Sequence, residues 1–160
     1  GQATALSEIY DPTTDVWSLT GPLNDARSAQ EAVVLSDGRV LVVGGASDPS
    51  GVLSSAEIYD PVTGAWTPTG DMNGPRAGHS LTLLLGGRVL AAGGLNGVPE
   101  PQSTTELFNP STNTWSATPD LSGTRILHTA TLLDDGRVLL TGGIGGPLND
   151  PISSIEVIEP

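Results

Sequence analysis

The sequence predicts an all-β fold built of repeated four-stranded antiparallel units, and three observations carry that expectation. First, Asp37-Gly38-Arg39-Val40-Leu41-Val42-Val43-Gly44-Gly45 is echoed by Gly86-Gly87-Arg88-Val89-Leu90-Ala91-Ala92-Gly93-Gly94 and by Asp135-Gly136-Arg137-Val138-Leu139-Leu140-Thr141-Gly142-Gly143. Arg39, Arg88 and Arg137 follow one another at intervals of 49 residues, so a turn, an apolar run and a double glycine recur on a fixed period, which is how repeat architectures show themselves. Second, 21 glycines and 13 prolines in 160 residues supply the turns that short strands need. Third, no stretch keeps a helical period between caps.

Each unit reads as four strands. The first is Glu31-Ala32-Val33-Val34-Leu35, matched by Ser80-Leu81-Thr82-Leu83-Leu84 and Thr129-Ala130-Thr131-Leu132-Leu133. Asp37-Gly38, Gly86-Gly87 and Asp135-Gly136 follow, and they suit two-residue hairpin turns with positive φ at both positions. The second strand is the Val/Leu-rich run, whose lack of alternation fits a strand covered on both faces. Loops over 46–55, 95–105 and 144–154 differ in every copy. The third strand carries Glu57-Ile58-Tyr59-Asp60-Pro61, paralleled from Glu8, Glu106 and Glu156. A turn then leads to Trp17, Trp66 or Trp115 on the fourth strand. Asp15, Gly64 and Asn113 share one place in that turn, and their common property is tolerance of the left-handed backbone region, so positive φ is expected there. The chain is expected to form a single segment over 1–160, with units near 8–56, 57–105 and 106–155 and an extra third-strand copy at 156–160.

A twisted four-stranded sheet with two apolar faces cannot bury both alone, and radial stacking into a propeller solves that problem. The run Ala56-Glu57-Ile58-Tyr59-Asp60-Pro61, followed by Trp66, Arg76, His79, Gly87-Arg88-Val89-Leu90 and Gly93-Gly94, resembles the kelch repeat of bacterial proteins related to the galactose oxidase propeller. The resemblance covers essentially the whole chain and implies a kelch-type β-propeller, about three repeats of it. Kelch propellers usually have six or seven blades, so the chain is expected to be a partial propeller or half of a closed ring. Tyr10, Tyr59 and Phe108, with the three tryptophans, read as inter-blade packing, and Gly44, Gly45, Gly93, Gly94, Gly142 and Gly143 as structural repeat positions.

Charge narrows the partners. The chain carries 18 acidic and 6 basic residues, a net charge of −12, and all six cations are arginines on two series spaced by 49. No spare basic cluster remains to neutralise phosphates, so nucleic acid is a poor partner. No apolar run approaches membrane-spanning length, and no membrane insertion is expected. Without cysteine there is no thiolate metal site and no Cys nucleophile. Copper-radical chemistry of the galactose oxidase kind would need a Cys-linked tyrosine, a second tyrosine and two histidines. This segment lacks that set, because Tyr10 and Tyr59 occupy one and the same repeat position.

Several residues compete for functional roles. His79 and His128 are repeat-equivalent, with Gln30 in the first copy, and stand where the innermost strand begins. They read either as a channel-facing metal or proton site or as histidines bonded to backbone at a loop–strand junction, and the second reading is preferred. Arg27, Arg76 and Arg125 invite comparison with the arginine cluster by which sialidase propellers hold a carboxylate. A repeat-locked arginine beside a repeat-locked glutamate more often staples loop to blade, and that reading is preferred too. Asp25, Asp48 and Asp150 are scattered singly, without the spacing of a calcium loop. No metal, cofactor or catalytic residue is expected in this segment.

A constant frame with variable loops points to binding. By the resemblance, the loops between second and third strands share a face with those over 18–29, 67–78 and 116–127. The candidate binding residues on that face are Arg27, Arg76, His79, Arg125 and His128 with Asp48, Asn96, Glu100, Asn149 and Asp150. The expected function is a non-catalytic scaffold for a protein or glycan, outside or on the surface of a bacterial cell. The alternatives are a fragment of a carbohydrate oxidase or hydrolase with its catalytic residues elsewhere, and a structural array in a larger surface protein. Three units do not close a ring, so the expected structural partner is either a second copy completing six blades or further blades of a parent protein.

Overall fold

The computed structural model describes residues 2–48, 51–97, 101–146 and 150–160, and these contain strands and turns but no helix. Strands β1 (Glu8–Asp11) and β2 (Val16–Leu19) form a hairpin. A four-stranded sheet follows, made of β3 (Glu31–Val34), β4 (Val40–Val43), β7 (Ala56–Asp60) and β8 (Ala65–Pro68), with the ribbon β5 (Ala46–Ser47) and β6 (Gly51–Val52) inserted between β4 and β7. The second sheet runs β9 (Ser80–Leu83), β10 (Val89–Ala92), β11 (Thr105–Asn109), β12 (Thr114–Thr118). The third is β13 (Thr129–Leu132), β14 (Val138–Thr141), β17 (Ile155–Ile158), with a ribbon β15 (Ile144–Gly145) and β16 (Asp150–Pro151) between β14 and β17. All pairings are antiparallel and follow chain order, so each sheet is a meander, and the sheets stack as the blades of a partial propeller.

The sheets meet face to face through two cores. Leu41, Val43, Ala56 and Ile58 of the first blade pack on Val89, Ala91 and Phe108 of the second. Leu90, Ala92 and Leu107 on the other side of the second blade pack on Val138 and Leu140 of the third. Strand alternation makes this possible, because successive side chains of β10 point to opposite neighbours and all four residues of β10 are buried. Leu41, Val43, Val89 and Phe108 are wholly inaccessible, and each such side chain stabilises the stack by about 1.5–3 kcal/mol. In β14 only Val138 and Leu140 are fully buried, because just one side of the third sheet is covered among the described residues.

Two local expectations change in the structure and one holds. The hairpin turns have three residues between their closing positions: Leu35 N–H donates to Arg39 O and Gly38 N–H to Leu35 O. Only the second residue of each pair, Gly38, Gly87 or Gly136, has positive φ, while Asp37, Gly86 and Asp135 do not. A three-residue loop closed by one left-handed glycine needs glycine at that single place, which is why Asp and Gly alternate before it. Of the segments expected as loops, 46–55 and 144–154 carry short β-ribbons and 95–105 carries an isolated bridge, Leu95↔Pro101. Positive φ at Asp15, Gly64 and Asn113 is borne out, at 58°, 69° and 54°.

The aromatic pairs Tyr59–Trp66 and Phe108–Trp115 stack across the third and fourth strands of a blade at 5.1 and 5.0 Å. They also reach back to the preceding sheet: Trp66 Nε1 donates to Ser7 Oγ, Trp115 Nε1 to Gly70 O, and the Tyr59 hydroxyl shares a hydrogen bond with Thr20 Oγ1. Tyr10 and Trp17 make the same stacked pair at 5.2 Å. In this pair Trp17 is 64% exposed.

Candidate binding face

Three buried arginines build the frame from which the variable ribbons rise. Arg76 Nη2 lies 2.7 Å from Glu106 Oε1, and its Nη1 donates to Gly93 O and Thr104 O. Arg27 repeats the arrangement with Glu57 at 2.8 Å, Gly44 O and Ser55 O. Burial alone would push both glutamates up. The Asn24 and Asp25 backbone N–H groups, the Asn24 side chain and Arg27 together hold Glu57 below the usual carboxylate range. Asn73 and Arg76 do the same for Glu106. A buried charge pair is tolerable when every lone pair is used in this way. Arg125 is looser: its Nη2 is 3.4 Å from Glu156, and Nη1 has no partner among the described residues.

The same arginines join neighbouring blades through their backbone. Gly45 N–H donates to Arg76 O at 2.7 Å and Gly94 N–H to Arg125 O at 2.9 Å. The glycines are required, since a Cβ on Gly44 would lie 2.3 Å from the Arg76 carbonyl and one on Gly93 2.4 Å from that of Arg125. His79 and His128 fill the space beside them. The His79 ring contacts the site of a Gly44 Cβ from one blade while its own Cβ lies over Gly94, and His128 does likewise at Gly93 and Gly143. Neither His79 nitrogen has a partner among the described residues. His128 Nε2 shares a 2.9 Å hydrogen bond with Ser80 Oγ. Desolvation, then Arg76 and His128, push His79 down to about 3. Desolvation and Arg125 push His128 down to about 4. Both rings are therefore neutral near pH 7. The expected backbone hydrogen bond to these rings is not the arrangement found, since they act as packing wedges between blades.

Equivalent bridges Ser28↔Ala46, Ala77↔Leu95 and Ile126↔Ile144 fix the start of each ribbon against the loop that precedes its blade. Beyond these bridges the described residues are mixed: Pro101 is buried, and Ser47, Val52 and Gly146 are half-buried. Asp48, Asn96 and Asp150 are exposed there, whereas Arg27, Arg76, Arg125, His79 and His128 are buried in the frame beneath. Glu100 and Asn149 lie outside the described residues. Among those described, no three His, Asp or Glu converge as a metal ligand set.

A family model for the Kelch motif matches residues 32–73 and 75–122, more than half of the chain. The chain belongs to the kelch-repeat family. No curated protein matches it. The matched kelch segments hold the first two blades. The third blade keeps Arg125, Gly142 and Gly143 at kelch positions but has Ile158 where Tyr59 and Phe108 stand.

Two features of this kelch frame escaped sequence reasoning. Asn24, Asn73 and Ser122 bind the glutamates through backbone N–H and side chain, and their 49-residue spacing was the available signal. Ala29, Gly78 and Leu127 share positive φ of 53°, 64° and 53°. They link blades by a backbone ladder, with Gly78 N–H to Ala29 O at 3.2 Å and Leu127 N–H to Gly78 O at 2.9 Å. Alanine and leucine give no hint of a left-handed residue, so only Gly78 could have suggested it.

Proposed function

We propose that this kelch chain is a non-catalytic interaction scaffold that recognises a protein or glycan through the segments at 46–55, 95–105 and 144–154, with either a second copy or further blades of a parent protein as its structural partner. Kelch repeats generally mediate protein–protein interaction. The observation that carries the reading is the contrast between identical ribbon bases, set by the three equivalent bridges, and ribbons that differ in sequence above them. A rigid base with changeable surface segments is how recognition is built on a repeat frame. The buried arginines and histidines are committed to holding that base. Recognition is then left to exposed polar groups such as Asp48, Asn96 and Asp150. With a net charge of −12, a neutral or basic partner surface is favoured over an acidic one.

The test is a parallel probe of the chain and of its Asp48→Ala/Asn96→Ala/Asp150→Ala variant against a protein array and a glycan array. Targets bound by the chain and lost by the equally folded variant support the reading. Targets bound equally by both place recognition elsewhere and overturn it.

A further inference from the structure

We infer that the cleft at Arg88, between the turns of the first two blades, binds the carboxylate of a single Asp or Glu side chain presented by a partner protein. These turns lie at the strand ends opposite the ribbons, so this is a second site, independent of what the ribbons recognise.

The first argument is that Arg88 alone of its repeat series lacks a carboxylate among the described residues. In the first blade Arg39 Nη2 lies 2.8 Å from Asp37 Oδ2, and its Nε donates to the same oxygen at 2.8 Å. Asp60 attracts that guanidinium at longer range. In the third blade Asp135 holds Arg137 in the same way, at 2.7 and 2.8 Å, with Glu159 as the longer-range charge. The second blade has Gly86 and Asn109 at those two places. Both acids of the pattern are thus replaced by neutral residues. The Arg88 side chain is exposed, with no ion pair or hydrogen bond among the described residues.

The second argument is that the vacated place is open and faces donors. Arg88, Ser36, Asp37, Asn109 and Ser111 line a cleft of about 210 Å³. A Cβ on Gly86 would meet nothing within 4 Å, whereas one on Gly87 would lie 3.5 Å from Ser36 Oγ of the neighbouring turn. Asn109 Oδ1 accepts from Ser111 N–H at 3.0 Å, which leaves the amide nitrogen to donate. Where Asp60 and Glu159 carry only acceptors, this blade therefore offers a donor. A guanidinium with an amide and hydroxyls beside it complements a carboxylate.

The third argument concerns the occupant. In the other two blades the equivalent place is filled by an aspartate side chain on a turn. The net charge of −12, and Asp37 at the cleft wall already tied to Arg39, oppose a polyanion or a dianion. A neutral segment carrying one acidic residue keeps the short-range pairing and avoids most of that repulsion.

The test follows the arginine Nε–H signals of the labelled 160-residue chain by NMR, at pH 7 and fixed ionic strength, during titration with a blocked Gly-Ser-Asp-Gly-Ser peptide. The Arg88 signal should shift and saturate with a midpoint of roughly millimolar order, while those of Arg39 and Arg137 stay in place. The same peptide with Asn for Asp should move nothing. Gly86→Asp supplies the missing carboxylate from within the chain, and should weaken peptide binding about tenfold or more without lowering the melting midpoint. Arg88→Gln should abolish the peptide-induced shift of the Gly87 backbone N–H. Absence of a saturable Arg88 shift overturns the proposal, and so does binding that survives Gly86→Asp. Acetate or inorganic phosphate binding more tightly than the Asp peptide marks a free-anion site and overturns the assignment to a side chain. The ribbon variant that tests recognition should bind the peptide as the parent chain does, so the two readings fail separately.

Discussion

The Gly45 N–H donates to the Arg76 carbonyl across the first blade junction at 2.7 Å, while the guanidinium of the same arginine is bound to Glu106 inside the second blade. One residue thus ties two sheets with its backbone and its side chain, and Arg125 does the same one blade later.

Arg76→Met should therefore lower stability by about 3–5 kcal/mol, because it leaves the Glu106 carboxylate buried without its cation. The double variant Arg76→Met/Glu106→Leu should lose distinctly less than the two single losses added together. Urea denaturation of the three variants measures this coupling.

Gly93→Ala should disrupt the second junction, since the added methyl would lie 2.4 Å from the Arg125 carbonyl. Gly142→Ala places a methyl at ordinary contact distance, 3.9 Å, from Ile152 O at a similar φ of +65°, and should incur only the backbone strain of about 1–2 kcal/mol. Thermal melts of the two variants should differ clearly in midpoint.

His79 and His128 have folded values of about 3 and about 4, below the ordinary 6.5. The unfolded chain binds protons first, so their stabilising contribution is complete above about pH 6.5 and declines as pH falls toward the folded values. Each histidine adds a slope of up to about 1.4 kcal/mol per pH unit in that window. His79→Gln, the side-chain type found at Gln30, should flatten the curve of urea midpoint against pH between 6.5 and 4.5. A curve of unchanged slope would show that the wedge position is not what senses acid.

Trp66→Ala should cost about 3–5 kcal/mol, because the indole stacks on Tyr59 and bonds Ser7 of the preceding hairpin. Asp48→Ala, on an exposed ribbon, should change the melting temperature very little. Comparable shifts for the two would contradict the packing role of the indole.

How much of this was legible in the sequence follows from what repeats. Positions that must be identical in every copy, such as Gly44 with Gly93 or Arg76 with Arg125, stand out because each meets the same backbone carbonyls or carboxylate. Positions whose requirement is conformational stand out only when the residue type reveals it. Asp15, Gly64 and Asn113 did so, but Ala29 and Leu127 did not, since the inter-blade ladder holds them left-handed whatever their side chains prefer. The turn at Ser36-Asp37-Gly38 was read as one residue too short because Asp-Gly suits two kinds of hairpin, and the closing bond from Leu35 to Arg39 selects between them. For the binding face, sequence located the variable segments but not the depth of the arginines and histidines below them, which depends on how blades stack.

The base of each ribbon is closed by one bond from its returning strand to the second residue of the double glycine: Leu53 N–H to Gly45 O at 2.8 Å, Gln102 N–H to Gly94 O at 2.9 Å and Ile152 N–H to Gly143 O at 3.0 Å. Beyond that clasp the described residues are held by the bridges of Ala46, Leu95 and Ile144 to the preceding loop and by pairing across the segment itself. Lengthening such a segment adds only loop-closure entropy, about 0.6 kcal/mol for each doubling. The clasp therefore works as an insertion socket, through which the chain can accept longer or foreign segments one blade at a time while the register of every other strand stays where it is.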